Sequence, residues 1–402
     1  MNVLVVVSGV LVVVSWVGLL AVAVQLAISW RAFRARPEPE PEEPGRPPSL
    51  GISILKPLCG ADDDLAENLR QFATLGYPDY ELILGVRSAQ DEAYPPAVEA
   101  ARRWPSRVKL VLQRGEPGLN PKVNQLCTLV EAASKPIILV SDSNCRPPEG
   151  YLEEIASAFE SDPQVACTSN PIIGIGEQRL GSAVENLHLA SVTATGVVAA
   201  KAMNRDIVVG KSMALRRADL EAMGGFFAVR NHLAEDYVLG KRAARIGKVR
   251  VLRRPVYQLS RRRTYRELLE RHRRWSVLHR TLLSPAASLA QSLMNPLPFA
   301  LVALLLRPSA GMVAAFAAAW AVKAALDWAA VRLHRPGFGL LTPVYVLLKD
   351  ASMFLAWCNA LGRRTVMWRG HRLRVERGSL LRGPAPGPSW VEAGQDAGRT
   401  AA

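Results

Sequence analysis

The residue types in this sequence that suit chemistry are an aspartate ending an apolar run, two neighbouring carboxylates opening a helix, and an Arg-Trp pair on a basic helix. The first lies in Pro136-Ile137-Ile138-Leu139-Val140-Ser141-Asp142-Ser143-Asn144, where a strand delivers Asp142 to its carboxyl end. A hard divalent cation held by one or two carboxylates and by substrate phosphates is what a diphosphate leaving group needs, which makes Asp142 the candidate ligand. Standing alone, a strand-end aspartate more often caps the following turn. The second signal is Leu233-Ala234-Glu235-Asp236-Tyr237. Asp236 is placed to take a proton from an attacking hydroxyl, although acidic residues also favour the positive end of any helix dipole. The third is Arg271-His272-Arg273-Arg274-Trp275. Its arginines can neutralise a departing diphosphate, and Trp275 offers an apolar face to a ring or an acyl chain. A snorkelling basic helix explains the surplus arginines but not this spacing.

Weaker signals complete the set. Asp91, after the second strand, can accept hydrogen bonds from a nucleoside base, and Gly118-Leu119-Asn120-Pro121-Lys122 can bring Lys122 to a base or phosphate. Each alone is more often a turn. Gly210-Lys211-Ser212 looks like half a phosphate loop, but Arg205 stands where the first glycine belongs, so a Walker loop is rejected. Cys59, Cys127, Cys145, Cys167 and Cys358 form no CxxC pair, which fits a reducing compartment and argues against structural zinc.

The elements that must position these residues can be read from periodicity. Short apolar runs at 51–55, 80–86, 108–112 and 136–140 alternate with helical patterns at 63–72, 93–103 and 122–133. Further strands are expected at 165–169 and 208–215, and a helix at 234–246. The alternation predicts an α/β fold with a mostly parallel sheet, whose ligand edge lies at the carboxyl ends of the strands. Lys56-Pro57, residues 87–91 and residues 141–144 fall there.

Residues 3–28 carry no charge and are long enough to cross a bilayer, so they read as a retained anchor. Trp30, Arg31, Arg34 and Arg36 flank it and place the chain beyond them on the cytoplasmic side. The resulting division is an anchor at 1–30, a stiff Pro/Glu linker at 31–50, a cytoplasmic catalytic domain at 51–260, a basic amphipathic interfacial helix at 261–284, membrane segments at 285–362 and a basic, partly disordered tail at 363–402. Asn295-Pro296-Leu297-Pro298 predicts a kink in the first of three C-terminal apolar segments. Lys323 and Asp327 are spaced to pair, whereas the adjacent Lys349 and Asp350 are expected not to face each other, which predicts a re-entrant or interfacial third segment. The net charge of +15 gathers beside apolar segments, so anionic lipid explains it better than nucleic acid.

Taken together, Asp91, Asp142, Asp236 and Arg271-x-x-Arg274-Trp275 resemble the D, D, D, (Q/R)xxRW series of membrane glycosyltransferases with a GT-A fold. More closely, residues 53–275 resemble the ceramide glucosyltransferase family, through Leu55-Lys56-Pro57-Leu58-Cys59-Gly60, Gly118-Leu119-Asn120-Pro121-Lys122, Gly210-Lys211-Ser212-Met213, Gly224-Gly225-Phe226 and Ala234-Glu235-Asp236-Tyr237. The resemblance implies that Asp91 binds uridine, with Pro57 and Lys122 also on the donor side. It implies that Asp142 holds Mg or Mn on the diphosphate and that Asp236 is the general base of an inverting transfer. Arg271, Arg274 and Trp275 would support the diphosphate or the acceptor. Asn144 stands where many relatives of this fold have a second acidic ligand, and Arg271 replaces the more familiar Gln. The implied reaction moves glucose from UDP-glucose to the primary hydroxyl of ceramide at a bacterial cytoplasmic membrane. The related bacterial hopanoid glycosyltransferases leave N-acetylglucosamine and a hopanoid acceptor open. A processive polysaccharide synthase and a non-catalytic basic membrane scaffold are the rival readings.

Overall fold

The structure, a computed structural model, describes residues 3–34, 49–335, 339, 341–368 and 371–383. Residues 35–48, which hold most of the expected Pro/Glu linker, and the tail beyond 383 lie outside the described residues. The chain divides into two units, Met1–Ala35, Ile172–Asn204 and Ser260–Thr365 forming one, and Arg36–Pro171, Arg205–Leu259 and Val366–Ala402 the other.

The second unit is built on a seven-stranded sheet. Its strands, numbered along the chain, are β1 (Ile52–Pro57), β2 (Tyr80–Val86), β3 (Val108–Leu112), β4 (Ile137–Ser141), β5 (Val165–Ser169), β6 (Ser212–Arg216) and β7 (Lys248–Val251). They lie in the order β3-β2-β1-β4-β6-β5-β7. β1, β2 and β4 are buried along their whole length, as continuous apolar runs flanked by helices should be. The pairs β1–β2, β2–β3, β1–β4 and β5–β7 are parallel. β6 runs antiparallel to both β4 and β5. This gives the expected α/β fold, with one reversed strand inside a mainly parallel sheet.

The reversal matters locally. Ser141 pairs with Ser212, so Asp142 leaves β4 beside the point where Lys211 enters β6. Helix Pro121–Ala132 starts where it does because the Asn120 side chain accepts from the amides of Lys122 and Val123 and Pro121 takes the first turn. Its Val123, Leu126 and Leu129 pack with Leu55, Ile83, Ile138 and Val140 in one core. The described part of the segment expected to be a basic, partly disordered tail contains strands. Thr365–Trp368, His371–Val375 and Leu381–Arg382 form a three-stranded sheet.

The first unit is helical. Among the described residues, three helices, Val3–Arg34, Ala310–Arg332 and Thr342–Leu361, are long and apolar enough to cross a membrane. The break expected at Pro296 is present: Pro285–Ser292 and Leu297–Leu306 meet at 72°. The third C-terminal segment departs from expectation in its Lys349–Asp350 pair. It is one continuous helix, and Lys349 Nζ lies 3.2 Å from Asp350 Oδ1. A lysine stem of four carbons can curl back onto its neighbour, which a rule drawn from Cβ directions does not allow for. Lys323 pairs with Asp327 at 2.6 Å, as its spacing predicts, and Asp327 also pairs with Lys349. Residues 180–202, which the sequence pattern did not resolve, form helices Leu180–His188 and Thr195–Ala202 joined by a π-helical stretch, Leu189–Ala194.

Candidate active site

The carboxyl end of β4 and the start of helix Glu235–Ile246 come together through one lysine. Lys122 Nζ lies 2.9 Å from Asp142 Oδ1 and 3.0 Å from Glu235 Oε1, and it donates to the Gly210 carbonyl at 3.1 Å. The same glycine donates its amide N–H to Asp236 Oδ2 at 2.6 Å. One residue therefore joins the lysine that holds Asp142 to the second acid of the helix start. The approach leaves no room for a side chain, since a Cβ on Gly210 would sit 2.9 Å from both Cβ and Oδ2 of Asp236.

Two further lysines converge on the same edge. Lys211 Nζ donates to Asp142 Oδ2 at 2.8 Å and to Asn144 Oδ1 at 3.0 Å. Lys56, fully buried at the end of β1, donates to the Asp142 carbonyl at 2.6 Å and to Ser141 Oγ at 3.1 Å, and its ammonium lies 3.7 Å from the centre of the Phe72 ring. Burial pushes the Lys56 ammonium down to about 8, against the pull of nearby Asp142. Burial alone would raise Asp142, but the ammoniums of Lys122 and Lys211 overcome it and hold the carboxyl well below its usual range. Lys122 is raised in turn: burial opposes its charge, and Asp142, Glu235 and Asp236 prevail. Asp236 moves the other way. Burial, reinforced by the neighbouring Glu235 carboxylate, lifts it to about 6. Two acids of one cluster are thus driven apart, one held well below the usual carboxylate range and one raised to about 6, a pattern typical of acid–base sites.

Among the other residues singled out from the sequence, Pro57 ends β1 and is buried opposite Gly85. Asp91 lies beyond β2, where its Oδ1 accepts from the amides of Gly60 and Ala93 at 2.8 and 2.9 Å and so ties the β1 loop to the β2 loop. Glu235, Lys211, Lys56 and Asn144 were not assigned a site from sequence. Lys56 stands at a strand's carboxyl end and Lys211 sits in the rejected half-loop, so position along the sheet was the available signal for both. Glu235 is 6% exposed and also accepts from Asn120 Nδ2 at 3.2 Å, which makes it the brace between two loops rather than a spare charge.

The oxygens fit a divalent cation. The Lys211 ammonium bridges Asp142 Oδ2 and Asn144 Oδ1, so these two oxygens already converge on a positive centre. Among the described residues no group of three or more His, Cys, Asp or Glu converges, so the protein can offer one carboxylate and one amide oxygen, the remainder coming from water and phosphate. The loop before Glu235 is braced from the C-terminal sheet, by Leu233 N to Ser379 O at 2.8 Å and Leu381 N to Asn231 O at 2.7 Å.

Arg271, Arg274 and Trp275 belong to the helical unit, on helix Tyr265–Leu282, which begins with a capping box between Thr264 and Glu267. The Arg271 guanidinium lies over the Trp275 ring at 4.8 Å, and its Nε is 3.3 Å from Glu185. Burial would raise Glu185, but Arg271 and Arg263 hold it at about 2. The His272 ring meets the Trp275 ring edge-on at 5.1 Å and, pushed by burial to about 3, is neutral. Arg274 is half-buried.

The sequence model of glycosyl transferase family 21 matches residues 10–381. The chain belongs to that family. This family 21 chain is 28% identical to ceramide glucosyltransferase 3 of Caenorhabditis elegans over 254 residues, 63% of the chain and 55% of that relative. It is also 28% identical to ceramide glucosyltransferase 1 of the same organism over 253 residues, 62% of the chain and 53% of that relative. The chain thus spans about half the length of the curated relatives it matches. A mannosyltransferase of Pyrobaculum calidifontis, solved with GDP-Man and Mn2+, superposes with a TM-score of 0.45 at 19% identity, over 88% of this chain and 99% of its own.

Proposed function

We propose that this chain is an inverting glycosyltransferase that moves a sugar from a UDP-sugar, glucose first among the candidates, to the primary hydroxyl of a membrane lipid, ceramide first among those. The observation that carries the reading is the Lys122–Gly210 bridge, which gathers Asp142, held well below the usual carboxylate range, and Asp236, raised to about 6, into one cluster at the ligand edge of the sheet. Family membership and the ceramide glucosyltransferase names of the relatives support the substrate class.

In this reading Asp236, ionised above about pH 6, accepts the proton of the lipid hydroxyl. The hydroxyl oxygen bonds to the anomeric carbon as the bond to the diphosphate breaks, on the opposite face, so the configuration inverts. Lys122 and Lys211 meet the charge of the leaving diphosphate. A divalent cation, when bound at Asp142 and Asn144, adds positive charge on those same phosphates. Asp91 and Pro57 line the donor side, and Arg271, Arg274 and Trp275 support the diphosphate or the acceptor. Arg31 and Arg34, at the end of the first apolar helix, favour a cytoplasmic catalytic unit.

The test is mass spectrometry of lipids from a host without glycolipids that expresses the chain. A gain of one hexose on ceramide is expected. A gain of one N-acetylhexosamine on a hopanoid would move the donor and acceptor to the other branch of the family, and no glycosylated lipid of either kind would remove the transferase reading. Asp236→Asn should lower turnover by about 10²- to 10⁴-fold while UDP binding is kept.

A further inference from the structure

Lys211 occupies an unusual place for a lysine. Its side chain is 9% exposed, and its ammonium sits between the two oxygens, Asp142 Oδ2 at 2.8 Å and Asn144 Oδ1 at 3.0 Å, that suit a hard cation. The antiparallel pairing of Ser141 with Ser212 brings the residues that follow and precede them, Asp142 and Lys211, side by side, so the lysine stem starts within reach of the two oxygens while its end stays free to move. Lys122 already covers the other Asp142 oxygen at 2.9 Å. A divalent ion therefore has no uncontested oxygen on Asp142, and two positive centres on one oxygen pair repel.

We propose that Lys211 is a tethered cation competing with the divalent metal for the Asp142–Asn144 oxygen pair, so that the two occupy the site in alternation. With Lys211 in place, the site keeps its acid neutralised and offers positive charge to a nucleoside diphosphate when no metal is bound. Metal binding requires Lys211 to release both oxygens. The divalent ion is then an optional occupant of this site, and its apparent affinity is set by the lysine as much as by the acid.

This rests on reading Asp142 as the diphosphate-side acid, but its test uses neither sugar donor nor lipid acceptor, so its failure and a failure of the transfer reading are separable. Mn2+ binding to the purified full chain is measured by electron paramagnetic resonance, without nucleotide, for wild type, Lys211→Met and Lys211→Gln. Both variants should bind Mn2+ at least about tenfold more tightly than wild type. The gain should vanish in the double variant Lys211→Met/Asp142→Asn. UDP binding in the presence of a chelator should weaken in Lys211→Met and recover when Mn2+ is added. Lys211→Gln keeps an amide donor for Asn144 without the charge, and serves if Lys211→Met does not fold. Equal or weaker Mn2+ binding in the charge-free variants would overturn the proposal. So would absence of Mn2+ binding in every protein, or a gain that survives the Asp142→Asn change.

Discussion

Two clusters of lysine and acid, one in each unit of the chain, share their chemistry and differ in what surrounds them. In the helical unit, Lys323, Asp327, Lys349 and Asp350 are all fully buried, two cations against two anions on two apolar helices. The Leu297 amide adds a donor to Asp350 at 3.4 Å. Every charge there is answered within the set. At the sheet edge, Lys56, Lys122, Lys211, Asp142, Glu235 and Asp236 also balance in number, but the Asp142 side chain is 26% exposed and Asp236 is shifted toward protonation. One set is closed and serves helix packing; the other is open on one side and can exchange a partner for a ligand. Balanced charge is therefore no sign of function. Access to water, and one acid left short of a cation, separate the second cluster from the first.

The sharpest way to break this comparison is to unbalance the closed set. Asp327→Asn leaves two buried lysines facing Asp350 alone, and should cost about 3–5 kcal/mol, read as a large fall in melting temperature in detergent. An unchanged melting temperature would mean that water reaches the tetrad. Gly210→Ala tests the open set without changing charge. Its Cβ must displace the Asp236 carboxylate from the Gly210 amide. Turnover should fall about 10- to 100-fold with the fold intact, and a variant as active as wild type would detach Gly210 from the placement of the base.

The smallest effect is in the pH profile. A carboxyl raised to about 6 is protonated, and so unable to accept a proton, at lower pH; kcat/KM should therefore rise with pH through about 6. Glu235→Gln removes the like charge that reinforces burial and loosens Lys122, so the rising limb should move to lower pH as long as Lys122 keeps its place beside Asp142. A limb that stays in place or moves up would assign it to another group.

Much of this molecule is determined by sequence alone. The apolar runs that become β2, β3 and β5 are legible to the residue, and β1, β4 and the helices expected at 63–72, 93–103, 122–133 and 234–246 to within a few residues; β6 begins later than its apolar run, and β7 and the helices Tyr151–Glu160 and Arg217–Ala222 are not legible in the pattern. Period-two and period-3.6 patterns report burial of single elements, and burial is a local property of the residues concerned. The broken apolar segment is legible for the same reason, because proline acts on its own backbone. Asp91, Asp142 and Asp236 can be named because strand ends and helix starts mark where a sheet presents ligands. What tertiary structure decided is who faces whom. Lys211 reads in sequence as half of a failed phosphate loop, and becomes a partner of Asp142 only because β6 is reversed against β4. Glu235 looks like an ordinary helix-opening acid until Lys122 and Asn120 reach it from more than a hundred residues away. Lys349 and Asp350 look ill-matched until a second helix supplies Lys323 and Asp327. Charge pairing depends on a few ångströms between distant segments, and no spacing along a chain encodes that distance.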